Sequence, residues 1–114
     1  MKVTKTYFML RVKDMDRAVA FYRDVFQLDV RFASPDWSEL TWRDATLALH
    51  GGGGRGGASG LGFEVDDLER ACHEVKAAGG RVLKPPRDRP GEPIRLAEVA
   101  DPEGNQFSLA QPSE

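Results

Sequence analysis

One segment occurs twice, and the duplication limits the fold more than any other feature of the chain. Val12-Lys13-Asp14-Met15-Asp16-Arg17-Ala18 returns 53 residues later as Val65-Asp66-Asp67-Leu68-Glu69-Arg70-Ala71. Both copies stand where an alternating apolar pattern gives way to apolar residues at helical spacing. A unit of this length is one supersecondary element and buries its own apolar face poorly. Two units must therefore pair, and pairing leaves a concave space that suits a small molecule.

The periodicity assigns the elements. Residues 6–13 alternate, with Phe8, Leu10 and Val12 on one face and Tyr7, Met9 and Arg11 on the other. Residues 15–26 switch to a helical stripe of Met15, Ala18, Val19, Tyr22, Val25 and Phe26, with Asp14 as N-cap. Strands follow at about 28–33, 37–43 and 46–50, the last two joined by a turn at Arg43-Asp44. A glycine-rich run then separates the copies. The second copy opens with a strand at 60–65 and a helix at about 67–78, capped by the pair Asp66 and Glu69 and stopped by Gly79-Gly80. A strand at 81–84, a charged loop from Lys84 to Pro93, and strands at 94–100 and 104–110 complete it. Asp101-Pro102-Glu103-Gly104-Asn105 joins the last pair as a turn. Each half reads β-α-β-β-β, which makes the chain α+β.

Composition excludes several classes. A net charge of −2 over 114 residues gives no basic footprint for nucleic acid. No stretch approaches membrane-spanning length, and no signal peptide is evident, so a soluble, cytoplasmic protein is expected. The single cysteine, Cys72, excludes an internal disulfide framework and lies on the helical stripe, where it reads as a packing thiol.

With these elements in place the chain resembles the vicinal oxygen chelate superfamily of glyoxalase I, bleomycin-resistance proteins and extradiol dioxygenases. The resemblance is carried by Met9-Leu10-Arg11-Val12-Lys13-Asp14 with Ala18-x-x-Phe21-Tyr22, by Gly62-Phe63-Glu64-Val65-Asp66-Asp67, and by Asp101-Pro102-Glu103-Gly104-Asn105. It implies one domain over 1–114 built from two tandem βαβββ modules whose curled mixed sheets form a cup. Module 1 covers about 1–51, a glycine linker 51–59, and module 2 about 60–114. The cup is commonly completed in a homodimer, and a dimer is expected here because outer strands otherwise expose their edges.

Family enzymes hold a divalent metal with four His, Glu or Gln side chains, two from each module. The resemblance places those positions at Tyr7, Ala48, Gly60 and Ser108. Alanine, glycine and serine do not hold such a metal well, and neutral tyrosine is a poor ligand. No metal and no cofactor are therefore expected. A displaced site built from His50 and Glu64 with Tyr7 or Glu39 is the alternative, and His73 reads as a solvated helix residue.

By alternation, the cup face offers Tyr7, Met9 and Arg11, then Thr46, Ala48 and His50, then Gly60, Gly62 and Glu64, and finally Gln106, Ser108 and Ala110. Trp37 and Trp42 have opposite parity, so both face the cup only if a bulge intervenes. Such a surface suits a flat ligand that is partly aromatic or apolar. By the resemblance, Arg11 matches an arginine that contacts a substrate carboxylate in glyoxalase I. Its alternative role is an ion pair with Glu64 or Glu98.

Three functions follow as expectations. The first is a metal-free binding protein of the bleomycin-resistance type, sequestering an antibiotic-like or aromatic metabolite. The second is a metal-free enzyme using Tyr7, His50 and Glu64 as acid–base groups. The third is a metal-dependent glyoxalase or dioxygenase with a displaced site.

Overall fold

The computed structural model describes residues 1–113. It divides into two compact units, Met1–Gly54 and Arg55–Glu114. Each unit is a four-stranded mixed sheet with one helix packed on one face. The class is α+β with two tandem modules, as the repeat implies.

In the first unit, β1 (Phe8–Arg11), α1 (Met15–Phe26), β2 (Asp29–Phe32), β3 (Trp37–Trp42) and β4 (Ala45–His50) follow in order. The sheet order is β1-β4-β3-β2, with β1 parallel to β4 and the other pairs antiparallel. Asp14 caps α1, its carboxylate accepting from the Arg17 N–H at 3.1 Å. The buried helix face runs Met15, Ala18, Val19, Phe21 and Tyr22. Phe21 was not in the expected stripe; it packs edge-on to Tyr22 and Phe26. Val25 and Phe26, which were in it, are only half-buried at the helix end. Leu10, Val12, Leu40, Leu47 and Leu49 complete this core.

The second unit comprises β5 (Gly57–Glu64), α2 (Leu68–Ala77), β6 (Arg81–Asp88), β7 (Ile94–Ala100) and β8 (Asn105–Pro112). Its order, β5-β8-β7-β6, repeats the first, with β5 parallel to β8. The helix cap is Asp67, accepting from the Arg70 N–H, and not Asp66. Gly79 leaves the helix at φ +95, a conformation that favours glycine. The Asp-Pro-Glu-Gly-Asn turn is closed by buried Asp101, which accepts from the backbone N–H groups of Glu103 and Asn105 and from the Asn105 side chain.

Two boundaries differ from the periodicity by three residues or more. Strand β5 begins at Gly57, because Gly57 and Ala58 pair with Asn105 and Gln106 through backbone alone. Strand β6 runs on to Asp88 through Pro85 and Pro86, a stretch expected as loop. That is tolerated because β6 is an edge strand, and its register shifts between Lys84 and Arg87, where the prolines sit.

Candidate functional site

Strand alternation puts Tyr7, Met9 and Arg11 of the first unit on the face opposite α1. Strand β4 adds Thr46, Ala48 and His50, and β3 adds Trp37, Glu39 and Thr41, since Trp37 pairs with His50 and Glu39 with Ala48. Trp42 falls on the other face, where it is 54% exposed and stacked with Arg43, whose guanidinium lies 4.5 Å from the ring centroid. The ladder runs unbroken from Trp37 to Trp42, so no bulge brings the second indole round.

On the helix-free face the aromatic rings form one array. Tyr7 meets Trp37 edge to face at 5.6 Å, and Trp37 meets the His50 ring in the same manner at 5.9 Å. Glu39 lies beneath, only 5% exposed. One of its oxygens accepts the Trp37 Nε1–H at 2.8 Å and the other takes the Lys5 ammonium at 2.8 Å. These bonds, that from Lys5 first and that from Trp37 second, hold the Glu39 carboxyl below its ordinary range.

The His50 ring has an assignable tautomer. Its Nδ1 lies 2.7 Å from the Gly51 carbonyl and 3.5 Å from Arg11 Nη1. A carbonyl only accepts and a guanidinium only donates, so Nδ1 cannot serve both. The shorter contact assigns the proton to Nδ1, leaving the neutral ring's lone pair on Nε2. The face thus offers aromatic surface, one basic nitrogen and the Arg11 guanidinium nearby.

The second unit's helix-free face carries Gly60, Gly62 and Glu64 on β5, and Gln106, Ser108 and Ala110 on β8. Glu98 pairs across from Ser108 and forms ion pairs with Lys84 at 3.1 Å and Arg87 at 3.6 Å. Gly60 sits in a register shift between Ala58 and Gly62 at φ +78. Cys72 is buried on α2, and burial, with Glu69 adding to it, pushes its thiol up and away from reactivity.

The family profile of the Glyoxalase/Bleomycin resistance protein/Dioxygenase superfamily matches residues 6–109. The chain belongs to this superfamily. A probable lactoylglutathione lyase of Vibrio cholerae is 31% identical, the match spanning 90% of this chain and 86% of that protein. The lactoylglutathione lyase of Haemophilus influenzae is 30% identical over 90% and 88%. Among solved superfamily structures, the Listeria monocytogenes fosfomycin resistance protein FosX superposes with TM-score 0.79 at 18% identity, covering 99% of this chain and 96% of that one. A Burkholderia phytofirmans superfamily enzyme gives 0.78 at 21% identity, covering 92% and 95%.

The superfamily metal does not fit the residues present. Of the four positions that the resemblance implies, Ala48 is a fully buried methyl and Ser108 a neutral hydroxyl. Gly60 has a backbone that a histidine rarely adopts. The carboxylates nearest in register, Glu39 opposite Ala48 and Glu98 opposite Ser108, are already ion-paired to cations. Among the described residues no three His, Cys, Asp or Glu side chains gather as a metal-holding group.

Alternation placed Tyr7 and His50 on a shared face and left open whether Trp37 or Trp42 joins them, and the anchoring role of Glu39 and Lys5 was missed. The Trp37-x-Glu39 spacing carried that signal, since residues two apart on a strand share a face. Lys5 precedes β1 and follows no period.

Proposed function

We propose that this superfamily member binds a small, flat, partly aromatic or apolar molecule on the helix-free face of its first unit, without a metal. The observation that carries the reading is the Tyr7–Trp37–His50 array braced by a buried Glu39, at a place where the superfamily pattern calls for metal ligands. Rigid aromatic edges bind through dispersion and ring electrostatics at small entropic cost. The protein is proposed to act as a homodimer. Strands β1 and β2 are the edges of one sheet and β5 and β6 of the other. No helix among the described residues is long and apolar enough to cross a membrane.

Native mass spectrometry of the protein from its own host, repeated with added divalent metals, tests this. A metal-free dimer carrying a small-molecule mass supports the proposal. One metal ion per site, retained on buffer exchange, refutes it.

A second reading is favoured by the His50 tautomer. With Nδ1–H held by Gly51, Nε2 is oriented as a base for a metal-free reaction, with the Tyr7 phenol as proton donor. His50→Gln separates the two readings: turnover falls by orders of magnitude under the second, and only affinity changes under the first.

A further inference from the structure

Gly51 follows the last residue of β4 and joins two parts of the aromatic face through its backbone. Its carbonyl accepts the His50 Nδ1–H at 2.7 Å. Its N–H donates to the carbonyl of Asp36, the residue before Trp37, at 2.8 Å. Trp37 and His50 are register partners, so this bond carries the β3–β4 ladder one step past them. The two rings that meet edge-on therefore share one anchor.

The anchor has to be glycine for want of space. Gly51 is buried and lies outside the left-handed region, so its conformation alone would admit other residues. A Cβ built on it, however, falls well inside contact distance of the Pro35 carbonyl oxygen and 3.2 Å from the Asp36 Cα. Both obstacles are backbone, which cannot swing aside as the end of a side chain can. The loop that carries them is itself clamped. Ser34 Oγ donates to the Trp37 carbonyl at 2.7 Å and accepts from the Trp37 N–H at 3.2 Å. Buried Ser38 does the same for Ser34, donating to its carbonyl and accepting from its N–H, each at 3.2 Å. A push on Pro35 is consequently passed to Trp37.

We infer that Gly51 is a positioning residue for the aromatic face: it holds the His50 ring and the Trp37 loop in one mutual geometry and selects the His50 tautomer that leaves Nε2 free. This rests on the proposed binding reading only in taking these rings as the surface that meets a ligand. The positioning is measured without a ligand, so either can fail while the other stands. Neither bond involves a bound molecule, and the face is organised before binding. Substituting Gly51 disturbs both rings together. Breaking the Ser34 clamp releases Trp37 and leaves His50 in place, because the Gly51 carbonyl remains.

Nitrogen NMR of the full chain, ligand-free and in mildly alkaline solution where an imidazole is neutral, tests it. In the native protein His50 is expected to carry its proton on Nδ1. The Gly51 amide should exchange with solvent more slowly than that of exposed Gly52, by about tenfold or more. Gly51→Ala should shift the Trp37 indole N–H signal and move His50 toward the Nε2–H tautomer. Gly52→Ala controls for strain alone, since Gly52 sits at φ +99 with open space around it, and should leave both signals unchanged. Ser34→Ala should shift the Trp37 signal only, and Ser34→Thr, which keeps the hydroxyl, should restore it. A native His50 protonated on Nε2, a Gly51 amide exchanging as fast as Gly52, a response of one ring alone to Gly51→Ala, or an equal response to Gly52→Ala would overturn the inference. If Gly51→Ala does not fold, the native tautomer and the Gly51 protection, with the two Ser34 variants, decide in the same terms.

Discussion

Glu39 Oε2 accepts the indole N–H of Trp37 at 2.8 Å, and this bond sets the direction of the ring that Tyr7 and His50 both meet edge-on. Its partner oxygen is tied to Lys5, so the carboxylate is satisfied on both sides although it is buried. A buried charge with two good partners is stable in place, and removing it strands them.

Replacing Glu39 should therefore disturb the aromatic array more than its distance from solvent implies. Glu39→Ala is expected to lower stability by about 1–3 kcal/mol, since it removes two hydrogen bonds to a charged group and leaves an indole N–H unpaired. Glu39→Gln should cost less, because an amide oxygen still accepts from Trp37. Chemical denaturation gives the stability, and near-ultraviolet circular dichroism reports the loss of a fixed Trp37 environment. Unchanged tryptophan signals in Glu39→Ala would show that the bond does not hold the ring.

The lowered Glu39 carboxyl gives stability a pH dependence of defined sign. Its folded value lies below the unfolded one, so the contribution is fully present above the ordinary glutamate value of about 4.3 and is lost as pH falls through the folded value. Melting temperatures of the native protein and Glu39→Gln are expected to differ most near neutrality and to converge in acid. A gap that stays constant with pH would exclude this linkage.

The two central glycines of β5 should respond differently to one added methyl. Gly60 has φ +78, so Gly60→Ala is strained and expected to cost about 1 kcal/mol or more. Gly62 has ordinary strand geometry, and its new Cβ would lie 3.8 Å from the Ser108 carbonyl oxygen, an ordinary contact. Gly62→Ala should be neutral or slightly stabilising. Thermal melts of the two variants side by side decide the matter.

Helix caps offer a sharper check on the second copy of the repeat. Asp14→Ala and Asp67→Ala are each expected to lose about 1 kcal/mol, while Asp66→Ala loses little. Urea midpoints at constant m-value report the ranking. An Asp66 effect equal to that of Asp67 would contradict the observed cap.

The array on the first unit predicts a binding phenotype as well. Trp37→Leu and Tyr7→Leu should each weaken a co-purifying aromatic ligand by about tenfold, as expected for the loss of an aromatic anchor. Trp42→Leu, on the opposite face, should leave affinity unchanged. Equilibrium titration of the three variants with the ligand recovered from the native protein measures this.

Much of the fold could be read along the chain because its signals are local. Alternation in β1 and the stripe of α1 depend on each residue's immediate neighbours, and the repeat of Val12–Ala18 at Val65–Ala71 marks where each helix begins. The departures lie where local signals compete or vanish. Asp66 and Asp67 are equally good caps in composition, and only the backbone path selects the second. Pro85 and Pro86 read as loop until β6 is seen to be an edge. Gly57-Ala58 has no apolar pattern, so its pairing with β8 is invisible until the strands meet.

The candidate site divides in the same way. Through its resemblance to the superfamily, the sequence put the implied metal positions at Tyr7, Ala48, Gly60 and Ser108. By itself, it determined the two βαβββ modules and which residues share a strand face with Tyr7. Those properties follow from residue identity and from a period of two, which any strand imposes. Only the tertiary structure decided that Trp37 and not Trp42 joins Tyr7 and His50, that Glu39 and Lys5 brace it, and that Glu98 takes Lys84 and Arg87 as partners. These depend on register between strands far apart in the chain, where a shift of one residue turns every side chain to the other face.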